Sequence, residues 1–485
     1  MLREEDLKEI IDIGVEITDE KDENCLLDKI LETVIRITNC DAGTLYLNDN
    51  NVLSFKIMKI KSLNISIGGD GREVDLPPIQ MSKENIIAYS VIHKELVRID
   101  DTSKDKRFRF DNDKETGYTN YEIGSMLVLP LINSQEDVVG ALQLINAFDD
   151  VNNIVPFSQD AQYTIKTIGS LAAIAITNIK YIYEIKSQME SFVDAFTMAI
   201  DERTPYNGMH SKKVKTYVEL MADYINSLHY QGLCDDYFTK EDKDQLIMAA
   251  SLHDIGKMVV PLSVMNKSTR LEGSIREIKS RFKLIMAYLE IDFLKGKISK
   301  EKYQKEITYI KENFEKIRVL NNSSYIDEDE LKFVEELGNK RYIGEDGKII
   351  EYLTPYEKEC LMIQRGTLTE SERNVMKSHV VMTERLLDKV HFGSRFSKVK
   401  EIARSHHELL DGSGYPNGLK AEDLSLETRI LTVADIFDAL TSPDRPYKSP
   451  VDIESAFDIL ENMADNGKIE KRLVEYLHEI IKKVG

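Results

Sequence analysis

The chain has 485 residues, 42% hydrophobic and 31% charged, an ordinary globular balance with enough length for more than one domain. Its 64 Lys and Arg face 84 Asp and Glu, a net charge of −20, which argues against a nucleic-acid polymer or an anionic membrane surface as the main partner. The four cysteines, Cys25, Cys40, Cys234 and Cys360, form no CxxC pair, so neither a disulfide framework nor a cysteine metal site is expected and a reducing cytoplasm fits best.

The first residues, "MLREEDLKEIIDIG", are charged and amphipathic and do not read as a signal peptide. "DENCLLDKILETVIRIT" then has helical spacing. "GTLYLND" and "NVLSFKIMKI" alternate like strands on either side of an Asn-Asp-Asn turn, and "KENIIAYSVIHKEL" predicts a short helix leading into a strand at "VRID". "GSMLVLPLINSQEDVVGALQLINA" predicts a hairpin turning at "NSQED". These elements make an α+β domain, a central antiparallel sheet with flanking helices, over residues 1–158. A helical pattern follows over 159–200, expected as a connecting helix that either pairs with its copy in a homodimer or closes the first domain. Its most apolar run, Ile168 to Ile179, is too short to span a bilayer. From about Phe192 the pattern is all-α apart from turns, and residues 201–485 form the second domain. Within it, residues 272–366 are charge-rich and predict an inserted helical hairpin plus linker.

The "DAGTLYL", "SMLVLPL", "VVGALQLIN" and "PFSQDAQYTIKTIGSLAAIAITNI" stretches resemble a GAF domain. That resemblance implies a sensor of a small ligand or a dimerisation module. The family's cyclic-nucleotide signature, Asn-Lys-Xn-Phe-x3-Asp-Glu, is matched imperfectly by Asn146-Ala147 and Phe157-x2-Asp160-Ala161, so the ligand stays open.

In the second domain, polar residues stand out on apolar helical faces: His210, His253 with Asp254, His379, His406 with His407, and Asp435. Singly, each is more often a hydrogen-bonded core or surface residue; together they are the imidazoles and carboxylates that divalent transition metals take. The apolar "LIMAA" before "SLHDIGK" predicts a buried dyad, and a buried Asp254 costs several kcal/mol unless a cation or strong donors compensate. Lys257, one turn on, is placed to donate to a phosphate, and Gly256 to admit a substrate. In "VADIFDALTSPDRPYK", Asp438 lies one turn beyond Asp435 as a supporting acid, and Arg445 and Lys448 supply positive charge.

This order, with "DGSGYP" from Asp411 to Pro416, resembles the HD-GYP family of cyclic di-GMP phosphodiesterases over about residues 192–485. The resemblance implies two divalent ions, iron or manganese. His210, His253, Asp254 and Asp435 would hold one; His379, His406, His407 and a bridging Asp254 would hold the other. Asp254 and Lys257 would carry catalysis, and Gly414, Tyr415, Arg445 and Lys448 would contact cyclic di-GMP, hydrolysed either to pGpG alone or onward to GMP. Gly412 and Gly414 permit backbone conformations with positive φ, and Tyr415 can pack at the site wall. Members that bind three metals carry a Glu four or five residues before the first histidine; Pro205 and Tyr206 stand there, with Asp201 and Glu202 out of register, so two metals are expected rather than three. The stretch between His253 and His379 is far longer than the family's usual link. The alternatives are an HD-type hydrolase of another nucleotide and a non-catalytic cyclic-dinucleotide-binding module.

Overall fold

The structure, a computed structural model, describes residue 14 and residues 22–69, 77–108, 110, 121–203, 209–344, 347–442 and 451–484. It divides into two compact units, Met1–Gln188 and Met189–Gly485.

The first unit is built on strands β1 (Cys40–Asp49), β2 (Val52–Ile60), β3 (Ile65–Gly68), β4 (Ile79–Gln80), β5 (Val97–Ile99), β6 (Met126–Ile132), β7 (Val138–Phe148) and β8 (Ile154–Val155). They pair antiparallel throughout, in the order β3-β2-β1-β7-β6-β5, with β4 on β2 and β8 on β7. The β1–β2 turn is made by Asn50 and Asn51, both at positive φ, where asparagine is tolerated. Helix α1 (Glu23–Thr38) and the first part of α3 (Gln159–Asp201) bury Leu27, Leu31, Ile165, Ile168 and Ile176 with Leu127, Leu129, Leu142 and Leu144 of one sheet face. Helix α2 (Ile86–His93) buries Ile86, Ile87 and Val91 with Met126, Val128 and Ile145 of the other. Because both faces of β6 are covered, "MLVLPLI" is a continuous apolar run rather than an alternating one.

Helix α3 is continuous over 43 residues, and its first part belongs to the core of the first unit. No helix of the described residues is long and apolar enough to cross a membrane. Among the described residues, Cys25, Cys40, Cys234 and Cys360 form no disulfide.

In the second unit, α4 (His210–Tyr230), α5 (Lys240–Leu252), α6 (Leu262–Met265), α7 (Ser274–Leu294), α8 (Lys300–Asn322), α9 (Glu328–Asn339), α10 (Pro355–Leu361), α11 (Glu370–Leu387), α12 (Val399–Arg404), α13 (Leu426–Thr441), α14 (Ile453–Asp465) and α15 (Lys471–Val484) follow in order, with a 3₁₀ turn at Ile255–Val259. Val214, Val218, Met221, Leu246, Ala249, Ile402, Ile430, Ala434, Phe437 and Leu473 make its main core.

The insertion departs from the expected helical hairpin. It has a core of its own, from Ile278, Phe282, Ile285, Ile310, Ile317, Val334, Leu337 and Tyr352, and it contains a two-stranded antiparallel hairpin, β9 (Arg341–Ile343) and β10 (Ile349–Glu351). The strands are short and flank glycines, so a helix-period reading passed over them. Arg270, 1% exposed, closes the insertion. Its guanidinium donates to the carbonyls of Leu320 (3.0 Å), Ser323, Ile363 (3.0 Å) and Gln364 (3.4 Å), and Thr367 Oγ1 donates to Lys267 O at 3.1 Å. The two ends of the insertion therefore meet.

Candidate metal centre

Helix α5 starts at a Thr239–Asp242 capping box and ends at His253, which delivers His253 and Asp254 to the interior. Three histidines reach the same cleft by one local device. The Nδ1 of His253 contacts Ala250 O (2.6 Å), that of His379 contacts Met376 O (2.7 Å) and that of His406 contacts Ala403 O (2.7 Å). A carbonyl can only accept, so each Nδ1 carries a proton and each Nε2 is the ring nitrogen turned to the cleft. His210, the first residue of α4, is oriented by a carboxylate instead: its Nδ1 lies 2.7 Å from Asp438 Oδ2. Asp438 is fully buried and also accepts from Ser442 Oγ at 3.0 Å.

The donor atoms fall into two groups. In the first, His210 Nε2 lies 3.4 Å from Asp254 Oδ2 and 3.3 Å from Asp435 Oδ1, and His253 Nε2 lies 3.3 Å and 3.7 Å from the same two oxygens. In the second, His379 Nε2 and His406 Nε2 lie 3.4 Å and 4.0 Å from Asp254 Oδ1, with His407 beside them. His407 Nδ1 is 3.7 Å from Asp435 Oδ2. Asp254 thus turns one oxygen toward each group.

Five of these atoms, His210 Nε2, His253 Nε2, Asp254 Oδ1, His379 Nε2 and His406 Nε2, are buried without a hydrogen-bond partner. Leaving one such group unpaired costs about 1–3 kcal/mol, and here they converge. The nitrogen-rich set with shared carboxylates fits divalent transition metals, and burial would exclude most competing ligands.

The electrostatics divide the groups. Burial pushes the imidazoles of His379 and His406 down, His406 well below its usual range, and His407 to about 4. Burial acts the same way on His210 and His253, but Asp254 and Asp435 outweigh it; His210 rises well above its ordinary value and His253 to about 9. Burial would raise the two carboxyls, yet Lys257 and the histidines hold Asp254 low, and His210 and His253 hold Asp435 low. The second group therefore offers free lone pairs near neutrality, whereas the first holds protons that a cation would displace.

Lys257 Nζ lies 2.5 Å from Asp254 Oδ2 and is 19% exposed, at the rim. Tyr415 packs its ring on His407 with centroids 4.8 Å apart, and its N–H donates to His407 O at 3.1 Å. The structure sharpens two glycine readings. Gly256 admits no substrate: a Cβ there would fall 1.9 Å from His379 O and 2.5 Å from Thr383 N, so glycine is required by the approach of α11. Gly412 has φ +79°, but Gly414 is not at positive φ; a Cβ on Gly414 would meet Leu409 N at 2.4 Å and His407 O at 2.6 Å, so it serves close packing rather than an unusual backbone. Arg445 and Lys448, with Pro205 and Tyr206, lie outside the described residues. Asp201 is buried beside Ser211, whose Oγ donates to it at 3.3 Å, and burial pushes its carboxyl up to about 6.

Other supporting residues escaped the sequence reading. Thr383 Oγ1 donates to His253 O (2.9 Å), and Thr432 Oγ1 donates to His406 O (2.9 Å). Glu408, 1% exposed, accepts from Asn417 N (2.7 Å) and Leu419 N (3.0 Å) and so shapes the loop bearing Tyr415. The available signal was position: Thr383 lies one turn after His379, and Thr432 nearly one turn before Asp435.

Residues 22–176 match the GAF domain family model, and residues 208–302 and 353–473 match HD domain models. The chain carries a GAF domain followed by an HD domain. Residues 303–352, within the insertion, fall in neither HD match. The 3′3′-cGAMP-specific phosphodiesterase 3 of Vibrio cholerae is 45% identical over 102 residues, covering 21% of this chain and 21% of that protein. The cyclic di-GMP phosphodiesterase response regulator RpfG of Xanthomonas campestris is 41% identical over 144 residues, covering 27% and 36%. A cyclic di-GMP phosphodiesterase of Thermotoga maritima is 37% identical over 125 residues, covering 26% and 33%. This chain thus spans about a fifth to a third of the length of these curated relatives.

Proposed function

We propose that the HD domain is a metal-dependent phosphodiesterase that opens cyclic di-GMP to pGpG, and that further hydrolysis gives GMP. The observation that carries the reading is the placement of Asp254, with one oxygen toward His210 and His253 and the other toward His379 and His406. A shared carboxylate between two imidazole-rich groups is what two adjacent cations require. His210, His253, Asp254 and Asp435 would hold one ion, and Asp254, His379, His406 and His407 the other; nitrogen-rich donors suit iron or manganese. Bound there, the ions would supply an acidified water and charge stabilisation at phosphorus.

The chain's own residues complete the site. Lys257, paired with Asp254 at the rim, donates to a phosphate oxygen as charge develops on it. Tyr415, held against His407, gives a flat wall for a purine. Gly414 lets the loop approach close enough to place that ring, and Arg445 and Lys448 add positive charge for the phosphates. Thr383, Thr432 and Asp438 hold the imidazoles in place.

A second reading keeps the metals and changes the nucleotide to 3′3′-cGAMP, favoured by the 45% identity to an enzyme named for that substrate. The test of both is product analysis on metal-replete protein with cyclic di-GMP, 3′3′-cGAMP and nucleoside triphosphates, alongside metal analysis after anaerobic purification. Two metals per chain and a linear dinucleotide product support the main reading. Tight binding without turnover would mean a non-catalytic module.

The GAF domain is proposed to sense a small ligand and to bias the HD domain, in a cytoplasmic homodimer. Ile174, Tyr181 and Ile185 are exposed on α3 at spacings of seven and four, a spacing that fits the seam of a two-stranded coiled coil and supports this reading. Sedimentation of wild type and of the Tyr181→Glu/Ile185→Glu double variant checks this; a dimer that persists in the variant removes the seam from the assembly.

A further inference from the structure

The phosphodiesterase reading needs two cation positions at a fixed separation, and those positions come from different elements. His253 and Asp254 close α5, whereas His379 rides on α11. A fixed spacing therefore needs a joint between α11 and the His253–Asp254 turn. One side chain and one missing side chain make that joint. Thr383, fully buried and one turn beyond His379, donates Oγ1–H to His253 O at 2.9 Å and accepts from Gly256 N at 3.0 Å. Gly256 lets α11 come close, since a Cβ there would lie 1.9 Å from His379 O and 2.5 Å from Thr383 N. The hydroxyl thus bridges the carbonyl of one candidate ligand and the amide two residues past the shared carboxylate. Among the described residues, no other side chain donates to His253 O or accepts from Gly256 N.

We infer that Thr383 and Gly256 form a latch that sets the distance between the two cation positions, with Thr383 a positioning residue for the second. The inference rests on the two-metal reading and adds a selectivity to it. His210, His253, Asp254 and Asp435 do not lie on α11, so the first position keeps its donors when the latch opens. The second loses the alignment of His379 with Asp254 Oδ1, now 3.4 Å apart. Partners of this kind, behind a ligand, typically govern affinity by about 10–100-fold.

The experiment uses the full chain, stripped of metal and titrated with Mn²⁺, with affinities read by calorimetry and the pairing of ions by electron paramagnetic resonance. Thr383→Val keeps the shape and removes the hydroxyl; Thr383→Ser keeps the hydroxyl. Wild type is expected to bind two Mn²⁺ with the spectrum of a coupled pair. Thr383→Val should bind the first Mn²⁺ with wild-type affinity and the second at least about tenfold more weakly, with an uncoupled spectrum at one equivalent and above. Thr383→Ser should restore the coupled pair. Gly256→Ala, which wedges α11 outward, should repeat the Thr383→Val pattern. Thermal unfolding of the metal-free variants shows that each one folds. Thr383→Val binding both ions as wild type does, or weakening both equally, overturns the latch. Wild type binding fewer than two ions overturns the two-metal reading itself, a separate outcome.

Discussion

In the insertion, Arg281 meets Glu357 through two contacts, 2.6 and 3.1 Å, and Arg270 gives its guanidinium to four backbone carbonyls. In the cleft, five buried nitrogen and oxygen atoms of His210, His253, Asp254, His379 and His406 point at one another with no hydrogen-bond partner. Both regions bury charge. The insertion satisfies it internally, so its polar groups hold the fold. The cleft leaves buried polar atoms without hydrogen-bond partners, a set that cations between them would satisfy. Buried charge by itself marks neither structure nor function; the distinction is whether the partners are already present.

The contrast fails most visibly if Asp254 can be removed without consequence. Asp254→Ala should abolish the pairing of metals and lower hydrolysis by at least about a thousandfold, the equivalent of several kcal/mol of lost transition-state stabilisation. Metal analysis and product formation check it, and retained turnover would mean that the cleft is not the reaction centre.

Arg281→Met should do the opposite. It leaves Glu357, 1% exposed, buried without its cation and should cost about 3 kcal/mol of unfolding free energy. Metal content per folded chain should stay at the wild-type value. Denaturant titration with parallel metal analysis reads both, and metal loss in a folded variant would break the separation between the regions.

Protons sharpen the comparison further. His253 is raised to about 9 in the metal-free cleft, above its ordinary 6.5. Its protonated form therefore stabilises the metal-free protein fully below about pH 6.5, and that contribution fades as pH climbs through 9. A cation needs the unprotonated ring, so Mn²⁺ affinity should rise with pH across the same window, with protons released on binding near pH 7.5. Calorimetry in buffers of different ionisation enthalpy counts them; zero release would show that the first group is not protonated.

The smallest effect belongs to the wall. Tyr415→Ala removes the ring that lies tilted on His407 and, with it, the proposed aromatic contact to the purine, worth about 0.5–1.5 kcal/mol, so KM should rise about two- to tenfold with metal content unchanged. A loss of metal instead would place Tyr415 in the support of His407.

Much of this was legible in the residues. The antiparallel hairpins, the continuous apolar run of β6 and the order His210, His253, Asp254, His379, His406, His407, Asp435 all follow from local pattern. Less legible was what Gly256 does. The sequence shows a glycine after a His-Asp pair; only the approach of α11, from more than a hundred positions away, shows that the missing side chain makes room for a helix. The same holds for Thr383 and Glu408, ordinary polar residues until a carbonyl or an amide of a distant segment arrives. The β9–β10 hairpin was passed over because three-residue strands leave no period to read.

By itself, then, the sequence determined which residue types the second domain carries at helical ends and buried faces, because burial and periodicity are local properties of a chain. The tertiary structure decided which atoms face which. Asp254 sharing its two oxygens between groups, the three Nδ1–carbonyl contacts that aim the imidazoles, and the hydroxyl joining α11 to the His253 turn depend on distances between segments far apart in the chain. Those distances are set by the packing of several helices at once, which no single stretch of residues encodes.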